Sequence, residues 1–137
     1  MFYRRLTIAV GAMGLAMMLG FSAAHGADAH PHFTLADEGQ RKEPFKVFDN
    51  LYFVGIKYVA SWVLVTSDGL ILIDSLFSDA EYKDYIFENI RKVGLDPADI
   101  KYVLISQGHP DHYGQAFSIQ DLTGATVGTG LGDWELI

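Results

Sequence analysis

Apolar positions in the central part of the chain fall into four short runs, and a polar turn separates the members of each pair. The runs are residues 45–48, 51–54, 61–66 and 70–74. Asp49-Asn50 and Ser67-Asp68-Gly69 are the turns, so the pattern predicts two β-hairpins. The second hairpin is almost wholly Val, Leu and Ile, which predicts strands that other elements cover on both faces.

A helical period follows the hairpins. Apolar residues recur at helical spacing at Tyr82, Ile86, Ile90 and Val93. Ser78 and Glu81 have the spacing of a capping box, and Gly94 is placed for a left-handed C-terminal cap, so the pattern predicts a helix between them. Three further elements are predicted after this helix: a buried strand at 101–105, a helix at 115–122 and the start of a strand at 125–127. The alternation predicts an α/β fold.

The segment after the predicted buried strand carries the most informative polar residues of the chain. Open α/β sheets place their sites at the carboxyl ends of strands, and imidazole nitrogen and carboxylate oxygen are ligands that zinc accepts. Gln107 and His109 alternate in the loop and can share one metal. Asp111 and His112 follow the bend at Pro110 and can reach a second one. The alternative is a loop with two solvated histidines and a turn aspartate.

At these residues the chain resembles the metallo-β-lactamase superfamily, whose signature is His-x-His-x-Asp-His after a strand. Here the pattern is Gln107-x-His109-x-Asp111-His112, so glutamine stands at the first histidine position, as in a minority of subclass B3-like enzymes. The two predicted hairpins also resemble the opening hairpins of subclass B3. The resemblance implies an α/β fold in which residues 44–137 form the N-terminal αβ half of a four-layer αβ/βα sandwich.

The resemblance also implies a chemistry: a hydrolase with one or two Zn²⁺ ions that opens the amide of a β-lactam, a small-molecule substrate, by a metal-bound hydroxide. Asp111 is then both a ligand and the catalytic residue that orients the nucleophile. Asp74 corresponds to a carboxylate that supports the metal loop through outer hydrogen bonds, and its alternative is an ordinary strand-end turn former. Hydrolysis of a lactone, thioester or phosphoester stays open, because the fold does not determine the substrate.

The length of the chain limits this interpretation. The family fold is much longer than the 137 residues here, and each of its metals takes a further histidine from the second half. No histidine follows His112 in this sequence. The acidic residues after it lie in no motif that suggests a ligand: Asp121, Asp133 and Glu135. We therefore expect the N-terminal half of a metallo-hydrolase, inactive by itself; a non-catalytic truncated fragment is the alternative.

Residues 1–26 have the order of an export signal. Arg4 and Arg5 are basic, residues 6–21 carry no charge, and small residues precede a predicted cleavage ahead of Ala27. The apolar run is shorter than the roughly 20 residues that a membrane span needs. We therefore expect a periplasmic or secreted protein without stable membrane association after cleavage; an uncleaved anchor is the alternative.

Charge and cysteine content exclude some other classes. The chain has 10 basic and 17 acidic residues, and loss of the signal would remove two arginines, so the mature protein is more acidic still. An acidic surface without a basic stripe argues against a nucleic-acid partner. Without cysteine the chain forms no disulfide and carries no lipid-anchored cysteine. Residues 27–43 are expected to form a polar lead, and the oligomeric state is left open.

Overall fold

The computed structural model describes residues 39–137. The predicted signal at residues 1–26 and most of the polar lead at residues 27–43 lie outside the described residues. The strands are β1 Phe45–Lys46, β2 Leu51–Phe53, β3 Trp62–Thr66, β4 Gly69–Ile73, β5 Ile100–Ile105 and β6 Thr126–Thr129. The helices are α1 Ala80–Lys92, α2 Pro110–Tyr113, α3 Ala116–Thr123 and α4 Leu131–Trp134, and a 3-10 turn covers Pro97–Asp99. Within the described part, no helix has the length and apolar content that crossing a membrane requires.

The strands form one six-stranded sheet in chain order. Neighbours from β1 to β4 are antiparallel, which confirms both predicted hairpins. β4, β5 and β6 are parallel, with α1 and α3 in the connections between them. Parallel neighbours need such crossovers, and the carboxyl ends of β4 and β5 therefore meet at the same edge of the sheet.

The ends of α1 show one wrong and one correct prediction. The helix begins after Asp79, whose side chain makes no capping hydrogen bond. Ser78 and Glu81 are therefore out of register for the predicted capping box, which needs the first residue at the cap itself. The C-terminal prediction is confirmed: Gly94 has φ +83°, and the Leu95 amide donates to the Ile90 carbonyl at 3.1 Å. This is the Schellman arrangement, in which the left-handed glycine lets the chain satisfy the last carbonyls.

The core lies between the helices and one face of the sheet. Tyr82, Ile86 and Ile90 of α1 are fully buried, and so is Ile119 of α3. They belong to one cluster with the inward side chains of the strands: Val63, Leu70, Leu72, Val103 and Ile105. This burial attaches β4 and β5 firmly to the helices and so gives the loops at their carboxyl ends a rigid base.

The other face of the sheet, which we call the outer sheet face, carries two apolar rows that cross the strands in register. One row is Phe45, Phe53, Trp62, Ile73 and Leu104, and the other is Leu51, Leu64, Ile71 and Tyr102. Leu104 is 42% exposed and Tyr102 is 49% exposed. The prediction that both faces are covered is therefore wrong for the described residues, because both long helices pack on the inner face.

Candidate metal centre

The candidate site begins where β5 ends. Residues 106–109 form a bend, and α2 then starts with Pro110, which suits the first helical position because the amide it lacks has no partner there. His109 is the residue before this helix, and Asp111 and His112 lie on it. The structure thus resolves the predicted loop into a bend followed by a four-residue helix.

Asp74 links the end of β4 to this segment. Its carboxylate accepts the Ser106 amide at 2.8 Å and the Ser106 hydroxyl at 2.7 Å. The same carboxylate lies 2.9 Å from Nδ1 of His112. Asp74 has φ +60°, a left-handed conformation that aspartate tolerates better than most residues. The buried carboxylate therefore ties the start of the metal loop to α2.

This contact sets the state of the His112 ring. The carboxylate can only accept, so Nδ1 carries a proton, and Nε2 is the nitrogen that can offer a lone pair to a metal. Asp111 Oδ2 lies 3.5 Å from this Nε2, and the side-chain amide nitrogen of Gln107 lies 2.7 Å from it. Two of the other three predicted ligand side chains, Gln107 and Asp111, therefore approach Nε2 of His112.

The spacing of these atoms can be compared with zinc coordination. Two ligands about 2.0–2.1 Å from a tetrahedral zinc lie about 3.4 Å from each other. The 3.5 Å between Asp111 Oδ2 and His112 Nε2 matches that separation. Gln107 directs its amide nitrogen at this Nε2 from 2.7 Å, and an amide nitrogen only donates, so the amide would have to rotate to offer its oxygen to a metal. The Asp111–His112 pair therefore fits a zinc ion.

His109 stands apart from this group. It is exposed, and its imidazole has no hydrogen-bond partner among residues 39–137. Its carbonyl accepts the His112 amide at 2.9 Å as part of the α2 turn. No contact pairs His109 with Gln107 in the described part of the chain, so their assignment to a first metal stays a prediction. Over the same residues, no three His, Cys, Asp or Glu side chains form a group that could hold a metal.

Sequence reasoning missed a set of supporting side chains. The Ser75 amide donates to the His112 carbonyl at 2.7 Å, and the Ser75 hydroxyl bonds the same carbonyl at 3.1 Å. Gln115 is buried, and its amide donates to the carbonyls of Phe77 and Asp79 at 2.8 Å each. Serine and glutamine are common surface residues, so only the position of Ser75 beside Asp74 could have signalled this role.

The end of α2 packs so closely against the turn after β4 that only glycine fits at position 114. The Gly114 amide donates to the Leu76 carbonyl at 2.9 Å, and a Cβ on Gly114 would lie 2.3 Å from the Phe77 carbonyl carbon. Leu76 is fully buried with φ +59°, a costly conformation for leucine. The turn after β4 and the end of α2 thus hold each other in a fixed arrangement, which is the support that a metal ligand needs.

Comparison with known proteins places this geometry in a family. The model of the metallo-beta-lactamase superfamily matches residues 54–136. A subclass B3 metallo-beta-lactamase of Bradyrhizobium japonicum is 39% identical, with a TM-score of 0.61 over 65% of this chain and 33% of that chain. A metallo-beta-lactamase from Elizabethkingia meningoseptica is 37% identical, with a TM-score of 0.62 over 71% of this chain and 35% of that chain.

A third solved structure is described as the first B3 metallo-beta-lactamase with an active-site glutamic acid. It is 35% identical, with a TM-score of 0.67 over 72% of this chain and 36% of that chain. The chain therefore spans about a third of the length of these relatives. The predicted fold class is confirmed as a mixed α/β fold of this type, covering part of those chains. The chain belongs to the metallo-beta-lactamase superfamily.

Proposed function

We propose that this chain is part of a zinc-dependent hydrolase, similar to subclass B3 enzymes, that opens the amide of a β-lactam ring. The observation that carries the proposal is the 3.5 Å between Asp111 Oδ2 and His112 Nε2, the separation of two ligands on one tetrahedral zinc. The names of the similar solved structures support the choice of substrate, since each is a metallo-beta-lactamase.

Each predicted site residue has a role in this proposal. Asp111 and His112 would hold one Zn²⁺, and Gln107 and His109 would serve a second. Bound zinc would supply Lewis-acid activation of water and of the substrate carbonyl. Asp111 would also orient the attacking water by accepting one of its hydrogen bonds. The described residues provide two zinc-type donors at one point, so the remaining ligand would come from another segment.

The residues around His112 would hold this ligand in a fixed orientation. Asp74 holds the His112 ring at Nδ1, and Ser75 holds the His112 backbone. Because both contacts restrain the ring and its backbone, His112 would have little freedom to turn away from a bound ion. A fixed ligand would hold the metal in one place, and with it the attacking water relative to the substrate carbonyl. Holding reacting groups in the right geometry lowers the barrier of a reaction.

The intact protein provides the test. We expect it to hydrolyse nitrocefin, to lose turnover when Zn²⁺ is chelated and to regain it when Zn²⁺ is added back. A matched panel of a lactone, a thioester and a phosphodiester separates substrates on the same site. Turnover that survives chelation would remove zinc from the proposal, and zinc-dependent turnover of only a lactone would replace the β-lactam.

The site of action is part of the proposal. We expect export and cleavage ahead of Ala27, which lies outside the described residues, because the charged, apolar and small-residue regions of a signal occur in order. The intact mass of the protein in the periplasmic fraction measures this. Retention of residues 1–26 in that fraction would contradict it.

A further inference from the structure

A second carboxylate reaches the metal loop from the far end of the chain. Asp133 lies on α4, after β6, and its Oδ1 accepts the Gly108 amide at 3.0 Å. Gly108 is buried and stands between Gln107 and His109 in the sequence. A hydrogen bond from a backbone amide to a carboxylate is stronger than one between neutral groups. Asp133 therefore fixes the backbone between two predicted zinc ligands.

The approach of the two segments leaves no room for a side chain at position 108. A Cβ on Gly108 would lie 2.9 Å from the Asp133 carbonyl oxygen and 2.9 Å from Cβ of Leu136. Real Cβ atoms essentially never come so close to another heavy atom. Glycine at this position thus allows the backbone of the metal loop to lie directly against α4 and the residues after it.

Asp133 is itself held in place. The Trp134 ring packs against Phe117 of α3 with ring centroids 6.4 Å apart. The Trp134 amide donates to the Gly130 carbonyl at 2.9 Å, and the Leu136 amide donates to the Asp133 carbonyl at 3.0 Å. The Asp133 carboxylate therefore projects from a turn whose backbone is hydrogen-bonded on both sides, and these contacts within the chain fix its direction.

Asp74 and Asp133 act on different parts of the loop. Asp74 bonds Ser106 and His112, which bracket the loop at its start and on α2. Asp133 bonds Gly108, between these points. The Gln107–His109 backbone thus has a support that does not pass through the Asp74 contact.

We infer that Asp133 is a positioning residue for the Gln107–His109 pair: it orients their shared backbone so that both side chains can bind one metal. The inference rests on the proposed function, because it assumes that the pair holds zinc. Asp133 is not assigned as a ligand, since its carboxylate is directed at the Gly108 amide.

The experiment measures Zn²⁺ binding to the intact protein by competition with a chelator, and it requires no substrate. Asp133→Ala should weaken one of the two zinc sites about tenfold, the lower end of the effect of removing an outer hydrogen bond. Asp133→Asn should recover most of that loss, because its amide oxygen still accepts from Gly108. Asp121→Ala removes the same charge from an exposed position on α3 and should bind zinc as the wild type does.

A variant that weakens only packing tests whether Asp133 acts through its hydrogen bond to Gly108 or merely through the stability of its turn. Leu136→Ala weakens the contact of the same turn with Gly108 but keeps the Asp133 acceptor, so it should change zinc affinity much less than Asp133→Ala. Equal losses in the two variants would overturn the inference, and so would wild-type affinity in Asp133→Ala.

Hydrogen exchange at the Gly108 amide is measured on the wild-type protein, so it does not require any variant to fold. This amide should exchange slowly because it is hydrogen-bonded to Asp133. Exchange as fast as that of an exposed amide without a hydrogen bond would overturn the inference. A wild-type protein that binds no Zn²⁺ would remove the proposed function, which is a different result from zinc binding that is insensitive to Asp133.

Discussion

Asp74 Oδ2 lies 2.9 Å from Nδ1 of His112, across 38 positions of sequence. The contact joins the end of β4 to α2 and decides which ring nitrogen of His112 faces Asp111. Because the same carboxylate also accepts the amide and hydroxyl of Ser106, one side chain sets the relative position of both ends of the metal loop.

Replacement of Asp74 with alanine should affect both stability and metal binding. The Ser106 amide and the His112 ring would lose their acceptor, and each such group left unsatisfied costs about 1–3 kcal/mol. Zinc affinity should fall about 10–100-fold, because the His112 ring would no longer be oriented. Chemical denaturation measures the first effect and chelator competition measures the second.

Asp68→Ala is the matched control for Asp74. Asp68 is an exposed carboxylate in the turn before β4, where only its backbone amide makes a described bond, to the Thr66 hydroxyl. Its replacement should change the free energy of unfolding by less than about 0.5 kcal/mol. If Asp74→Ala resembles this control, Asp74 is an ordinary turn former.

Replacement of Gln107 with histidine should raise the zinc content of the intact protein toward two ions per chain. A neutral amide oxygen is a weaker zinc donor than imidazole, so the site served by Gln107 and His109 should hold its metal less firmly than the other. Metal analysis after dialysis measures the change. Gln120→His adds an imidazole on α3 instead and should leave the zinc content unaltered. Unchanged metal content in Gln107→His would show that position 107 is not a ligand.

Replacement of Asp111 with alanine should remove most hydrolytic activity of the intact protein. The change deletes one of the two donors at the Asp111–His112 pair and leaves the attacking water unoriented, and each of these losses lowers the rate by orders of magnitude. Steady-state turnover with saturating zinc measures it. Asp121→Ala, an equal charge change on α3, serves as the control, and near wild-type turnover in Asp111→Ala would contradict the proposed division of ligands.

The outer sheet face predicts how residues 27–137 behave alone. Its two apolar rows include the half-exposed Tyr102 and Leu104, and a patch of this kind promotes association. Light scattering after size exclusion should show species larger than the monomer. Leu104→Glu should reduce them, whereas Lys101→Glu, on the same strand but outside the two apolar rows, should not. A monomer with a cooperative melt would contradict the prediction.

Local sequence determined most of the secondary structure. The turn pairs between apolar runs predicted both hairpins, because a polar turn between two β-rich runs has few other solutions. Gly94 likewise predicted the end of α1, since the left-handed cap is a local property of glycine. The start of α1 was missed at Ser78 because competing cap residues lie one position apart, and their choice depends on how the helix packs.

The sequence by itself also determined the family and the four candidate ligands, because the pattern of Gln107, His109, Asp111 and His112 is contained in six consecutive positions. Tertiary structure decided which of these side chains meet and what supports them. Asp133 bonds the metal loop, Ser75 bonds the His112 carbonyl on α2, and Gln115 bonds the turn after β4, through contacts that span 25 to 40 positions of sequence. Such contacts leave no periodic or local signal, because they exist only once the sheet and its crossovers have brought distant turns to one edge.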